Sequence, residues 1–416
     1  MKHIYTSLDI GSDSIKVVVC ELYQNKLNLL ASSSYPSSGI KKGLIMNPEE
    51  ASKSLKGAIE RTEEILGIKI DKVIASVPCY FSDYAIVKAE IPIENEVVTH
   101  EDIKRVLDEA VKSFESEDKE IVTLLPIDFK LDGETGIKEP YNVACKDLGV
   151  RAVLVTTPKK NIYSVVGLLE SIGIETVDIS TNPIGDLYAF KNKNIDKSIG
   201  AIINIGSETT TVSLYNRGII VKSSIIHMGG KNIDNDISYM YKTDYETANN
   251  LKLHFALGHK RNASTGDMYE IKTAYDDELR INQYEISEVV SSRLEEILNL
   301  AKKEINILTS KRIDYIIITG GTSNMTDIEY VANDVFGKDV SIGNIKLIGI
   351  RDNKYSSCVG NIVYFVSKLK LKGQEYSMVN NEEASKLASI RKSYQEINNE
   401  KMLGKLTEYF LANRRI

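Results

Sequence analysis

The stretch SLDIGSDSIKVVV (residues 7–19) has a near echo in IINIGSETTTVSL (residues 202–214). Each copy is an apolar run, a short polar turn and a second apolar run, the pattern of two β-strands joined tightly. A third β-rich run follows each copy, at 27–34 after the first and at 218–226, GIIVKSSII, after the second. Agreement in length, phrase and position makes duplication of one α/β unit the economical explanation. The copies differ at one telling place: Asp9 in the first is Asn204 in the second.

Outward from the first copy, residues 49–66 follow a helical period through Ala51, Leu55, Ala58, Ile59, Thr62 and Leu66, with Gly67 as the stop and the strand KVIASVP after it. Strands followed by helix and strand predict an α/β layer. The texture then changes. AIVKAEIPI alternates, and after it Ile103, Val106, Leu107, Ala110, Val111 and Phe114 fall on one helical face, begun by a capping-box pair, Thr99 and Asp102. Strand-like runs IVTLLPIDFKL and VRAVLVTTP follow, so 81–157 reads as an inserted module. NIYSVVGLLESIGI then returns as an amphipathic helix to the first unit, which comprises 1–80 and 158–198. The second unit takes 199–228 and 309–372 and carries a mainly helical lobe, 229–308. Within it, DYIIITGGTSNM gives a buried strand running into a Gly-Gly turn. Residues 373–400 are polar with charges of both signs, a linker or exposed helix, and the last sixteen residues change character again.

The chain has 416 residues, 42% of them hydrophobic and 26% charged, an ordinary globular composition long enough for several cores. A net charge of -6 gives no bulk reason to expect nucleic acid as a partner. Cys20, Cys79, Cys145 and Cys358 lie far apart with no CxxC pair, which suggests reduced thiols rather than a zinc site or disulfide framework. No apolar run reaches the length of a signal peptide core or a spanning helix, so neither export by a signal peptide nor an integral membrane protein is expected. The five histidines, His3, His100, His227, His254 and His259, form no triad pattern and read as surface or satisfied polar residues. No catalytic residue is assigned.

A tight turn lined by small hydroxyl residues exposes backbone N–H groups and suits phosphate oxygens. Ser12, Asp13, Ser14 and Lys16 supply this in the first copy, and Ser207, Thr209 and Thr210 in the second. One such turn is most often only a turn; two related by duplication can hold a triphosphate from both sides. Gly320 and Gly321, after a strand, offer a place where backbone approaches a nucleotide closely. In the tail, Met402, Leu403, Leu406, Tyr409, Phe410 and Ile416 gather on one helical arc, with Lys401, Lys405, Arg414 and Arg415 outside it against Glu408. Such a helix suits an anionic membrane interface, the alternative being a terminal helix packed on the protein's own core.

These residues resemble the actin, Hsp70 and sugar-kinase superfamily, and within it the FtsA family of bacterial cell-division proteins. The likeness covers nearly the whole chain: GIKKGLI (39–45), VVTHEDIKRVLDEA (97–110), LLPIDFKLDGETGIKEP (124–140), MGGKNIDNDIS (228–238), GGTSNM and the tail. It implies an α/β, actin-like fold: duplicated ribonuclease-H-like units around a nucleotide cleft, with an FtsA-type inserted subdomain and a C-terminal amphipathic helix. It further implies ATP and Mg2+ as cofactors. Asp9 matches the residue that orders Mg2+ through water. Ser12, Asp13, Ser14 and Lys16 match the first phosphate loop, and Gly206, Ser207, Glu208, Thr209 and Thr210 the second. Gly229 and Gly230 match the entrance to the helical lobe, Lys252 a basic residue near the ribose, and Gly320, Gly321, Thr322 and Ser323 the adenosine side.

Where the family presents DIGGGTTD, this chain has NIGSETTT, and the acidic residue expected beside Lys252 is Asn249. Removing one charge about 5 Å from a dication, at an effective dielectric near about 20, removes several kcal/mol before screening. The resemblance with these departures implies loose ATP binding and weak or absent hydrolysis. The role it implies is polymerisation into filaments at the cytoplasmic face of the cell membrane, at the division site, tethering the tubulin-like ring protein FtsZ through that protein's C-terminal peptide, with other division proteins as partners. A PilM-like assembly adaptor and a small-molecule kinase of the same superfamily are the alternatives.

Overall fold

The computed structural model describes residues 3–387, apart from 274, 276, 381 and 385. β1 (His3–Ile10) and β2 (Ser14–Tyr23) pair antiparallel, with Asp9 opposite Lys16 and Ile10 opposite Ile15, so the quoted phrase is a hairpin closed by residues 11–13. β3 (Lys26–Pro36) completes a meander, and a small hairpin of β4 (Ile40–Lys41) and β5 (Leu44–Ile45) leads into α1 (Pro48–Leu66). Asn47 caps α1 by accepting the N–H groups of Glu49 and Glu50, and Gly67 ends it in the left-handed conformation. β6 (Lys72–Val77) then lies parallel to β1.

The inserted module follows as β7 (Asp83–Pro92), α2 (His100–Val111), β8 (Lys119–Leu131), β9 (Glu134–Ile137) and β10 (Asp147–Pro158), a sheet in the order β7-β10-β8-β9. Thr99 and Asp102 form the capping box of α2, whose Ile103, Val106 and Leu107 bury against Phe129, Leu131, Leu148 and Val150. The chain returns through α3 (Lys159–Ser171), β11 (Glu175–Thr181) and α4 (Asn182–Phe190).

The second unit repeats the first. β12 (Ile199–Ile205), β13 (Thr210–Asn216) and β14 (Ile219–Ile226) form the meander, then come α5 (Gly230–Tyr241), α6 (Tyr245–His254), a hairpin of β15 (Met268–Lys272) and β16 (Glu278–Asn282), and α7 (Gln283–Leu308). β17 (Tyr315–Thr319), α8 (Ile328–Phe336) and β18 (Val340–Ile342) close the sheet. The two large sheets run β3-β2-β1-β6-β11 and β14-β13-β12-β17-β18, each an antiparallel meander extended by two parallel strands. This α/β topology, written twice, is the actin-like fold.

Three placements differ from the sequence reading. The helical lobe contains the β15–β16 hairpin, whose alternation is too short to stand out beside 26 residues of α7. α9 (Ser356–Leu371), assigned above to the second unit, packs on α4 and puts Ile362, Tyr364 and Phe365 into the core of the first. Periodicity identifies the buried face of a helix but not the sheet that covers it. Residues at the head of the polar 373–400 segment are packed too: Met378 donates its N–H to Ile4 O, and Tyr376 meets Phe365 edge-on. The tail residues 401–416 lie outside the described residues.

Candidate functional site

The two repeated turns face one cavity of about 480 Å³ between the halves. From the first half it is lined by Asp9, Ser12, Asp13, Ser14 and Lys16, and from the second by Gly206, Ser207, Glu208 and Thr209. Gly230, Asn249 and Lys252 enter from the helical lobe and Gly320, Gly321 and Thr322 from the β17 turn. The antiparallel register that puts Asp9 opposite Lys16 leaves Lys16 Nζ 3.6 Å from Asp9 Oδ2. Three predicted residues stand behind this wall rather than on it. Thr210 is fully buried and donates to Met228 O at 2.8 Å, Ser323 is buried and donates to Gly320 O at 2.8 Å, and Gly229 is not among the lining residues. Alternation along β13 explains the first, since Thr209 and Thr211 face the cavity and Thr210 faces away.

The Gly-Gly turn has a steric reason. Gly320 sits at φ 90°, and a Cβ there would lie 2.4 Å from Asn204 Oδ1, so only glycine lets β17 turn against the end of β12. Asn204 is thereby held from both sides. Its Nδ2 donates to Asp186 Oδ2 at 2.7 Å, while Asp186 Oδ1 accepts from the hydroxyls of Ser356 at 2.6 Å and Ser357 at 2.8 Å. Burial pushes the Asp186 carboxyl up to about 6 in spite of these three donors.

Sequence reasoning missed Asp186, and two more residues that complete the cavity. Asn182, at the β11–α4 junction, donates Nδ2 to Asp9 Oδ1 at 3.1 Å and lines the cavity. Asp234, on α5, is buried with its carboxylate 2.6 and 2.8 Å from Lys252 Nζ, and it also accepts from Asn249 Nδ2 at 3.2 Å and Tyr245 Oη at 3.1 Å. The negative charge absent at Asn249 is thus supplied four residues beyond Gly230. The only sequence signals were an Asn-Pro at a strand-to-helix junction and an acid on the inner face of α5, neither specific.

Glu208, which the sequence left free to point at a ligand or at solvent, lines the cavity and is held there. It accepts the backbone N–H of Lys42 at 2.6 Å and pairs with Lys231 Nζ at 3.0 Å. Lys42 belongs to the β4–β5 hairpin of the opposite half, and the adjoining Gly43 N–H donates to Ser12 Oγ at 2.8 Å. The arrangement is polar, glycine-rich and two-sided, with Lys16, Lys252 and Lys354 set among five carboxylates, chemistry that suits an anionic ligand carrying a divalent cation. Among the described residues no helix is long and apolar enough to cross a membrane. The four cysteines are free and buried, and no cluster of His, Cys, Asp and Glu forms a protein-only metal site among the described residues.

The family model of the cell division protein FtsA matches residues 201–360, and that of the SHS2 domain inserted in FtsA matches 84–156. A cell division protein FtsA of Bacillus subtilis is 28% identical over 395 residues, covering 94% of this chain and 90% of its own length. One of Streptococcus pneumoniae is 26% identical over 362 residues, covering 85% and 78%. Among solved structures, a PilM–PilN type IV pilus biogenesis complex aligns with a TM-score of 0.57 at 14% identity, covering 87% of this chain and 98% of that one. MreB5 of Spiroplasma citri bound to ADP aligns at 0.52 and 16% identity, covering 89% and 98%. At such identities the last two speak for the fold alone.

Proposed function

This chain belongs to the FtsA family of cell-division proteins, and from that premise we propose that it binds MgATP in the cleft, assembles into filaments at the cytoplasmic membrane face and tethers FtsZ there. The observation that carries the nucleotide reading is the pair of duplicated turns lining one cavity from opposite sides, with the Gly320 turn and Lys252 beside them. Ser12, Ser14, Lys16, Ser207 and Thr209 would receive the phosphates, and Asp9, steadied by Asn182, would receive Mg2+ through water. The cation would neutralise phosphate charge when bound. Lys252, Asp234 and Gly321 would hold the nucleoside.

Hydrolysis is proposed to be weak or absent, because the amide of Asn204 is tied back to Asp186 and presents no second carboxylate. Membrane attachment rests on the basic amphipathic pattern of 401–416, and FtsZ tethering rests on family membership. Filaments multiply a weak membrane contact by avidity. A PilM-like adaptor role gains nothing from the PilM–PilN complex, whose similarity is one of fold alone, whereas the SHS2 match at 84–156 speaks for the FtsA role. Displacement of a fluorescent ATP analogue by MgATP tests the first step. Saturable binding supports the reading, and none up to millimolar ATP leaves a scaffold without nucleotide. Steady turnover well above background would overturn the part on hydrolysis.

A further inference from the structure

Glu208 sits in the second turn with its side chain only 12% exposed. The donors it meets come from both sides of the cleft: the Lys42 N–H from the β4–β5 hairpin and the Lys231 ammonium from the first turn of α5. The hairpin is itself braced, since Lys42 O accepts from Tyr80 Oη at 2.9 Å, and Tyr80 stacks on His227 of the second half at 5.9 Å between centroids. Burial pushes the Glu208 carboxyl up, but the Lys42 N–H and Lys231 outweigh it and hold the group below the usual range, so it is an anion in place. A backbone N–H and an ammonium converging on one anion form a seat that equally fits a phosphate oxygen.

The position of this seat along the cleft decides which phosphate it fits. Asp9, Gly43 and Thr209 line both the large cavity and a smaller one of about 70 Å³ that continues behind the hairpin. Lys252, Gly320 and Gly321 line the large cavity alone, so the hairpin marks the end remote from the nucleoside side. Both ammonium groups beside the turns already face carboxylates, Lys16 with Asp9 and Lys231 with Glu208. An incoming anion competes for them.

We propose that Glu208 is a tethered anion filling the seat of a terminal phosphate, so that a nucleoside triphosphate must displace it and a diphosphate need not. Displacement breaks the Glu208–Lys42 tie across the cleft, which couples the third phosphate to the contact between the halves. The inference rests on the nucleotide reading above. It is tested on the purified full-length chain by measuring Mg2+-dependent affinities for ATP and ADP in the unmutated protein, Glu208→Gln and Glu208→Gly. Glutamine keeps an acceptor for the Lys42 N–H and removes only the charge; glycine removes the side chain altogether. Both variants are expected to bind ATP about tenfold more tightly or better, and ADP within about threefold of the unmutated protein. An unchanged ATP-to-ADP ratio, or weaker ATP binding, overturns the tethered anion while leaving the nucleotide site standing. Absence of binding in all three proteins overturns the nucleotide reading and this inference with it.

Discussion

Asn204 donates to Asp186 across 2.7 Å, and this contact decides what a carboxylate at 204 would do. Asn204→Asp would set a half-buried carboxyl group on the cavity wall against the buried one of Asp186, an arrangement that opposes ionisation of both. We expect a loss of about 2–4 kcal/mol at pH 8, read as a lower urea midpoint. Adding Asp186→Asn reverses donor and acceptor and should recover most of that loss, a coupling visible in a double-mutant cycle. Asp186 also sets a pH dependence. Its carboxyl is raised from 3.8 to about 6, so between these values the folded chain keeps a proton that the unfolded chain releases. Stability therefore falls as pH rises through that window, by about 3 kcal/mol in all for a group this deeply buried. Asp186→Asn should flatten the slope of urea-derived stability between pH 4 and pH 7, and an unchanged slope would assign the effect elsewhere. The repeated turns were legible in the sequence because each is local. Asp186 was not, because its partners at 204, 356 and 357 come from two other segments far along the chain and nothing in DLYAF marks the acid as buried.

Among the elements, α4 and α9 meet where two glycines face each other. A Cβ on Gly360 would lie 1.6 Å from Gly185 O, and one on Gly185 would lie 2.4 Å from Ser357 O. The helices approach this closely only because neither carries a side chain there, and their approach is what brings Ser356 and Ser357 to Asp186. Gly360→Ala should therefore destabilise by about 1–3 kcal/mol or more despite alanine's better helix propensity, read by thermal melting. The single methyl would act on the cleft as well, through the hydroxyls that steady Asp186. In the sequence, GNIVYFVSKLKL reads only as the end of the stretch 309–372 given to the second unit. It did not show which sheet the helix covers, because apolar faces of both units accept the same residue types. The capping box at Thr99 and Asp102 was legible, since both its halves lie within four residues.

Over the whole molecule, the halves meet outside the cleft through the Tyr84–Ser223 hydroxyl pair at 2.7 Å and the Tyr80–His227 stack, and through Ile202, Tyr215 and Ile220 of the second half, which join the apolar core of the first. The tail belongs to this scale too, because its proposed membrane contact has effect only on the assembled protein. Deleting 401–416 should abolish flotation with anionic liposomes while leaving the melting temperature of the remainder unchanged, and persistent flotation would move the membrane contact elsewhere. The return of the chain to its own beginning has a consequence in time. β1 is among the first segments made, yet α9 and Met378, which cover it, come more than three hundred residues later. At about 5–20 residues per second, a ribosome exposes the unfinished first half for tens of seconds. The second half, from β12 to β18, has its own apolar cluster and can close during that interval. Synthesis order thus predicts that the half carrying the first turn is the last to fold and the one most in need of a chaperone.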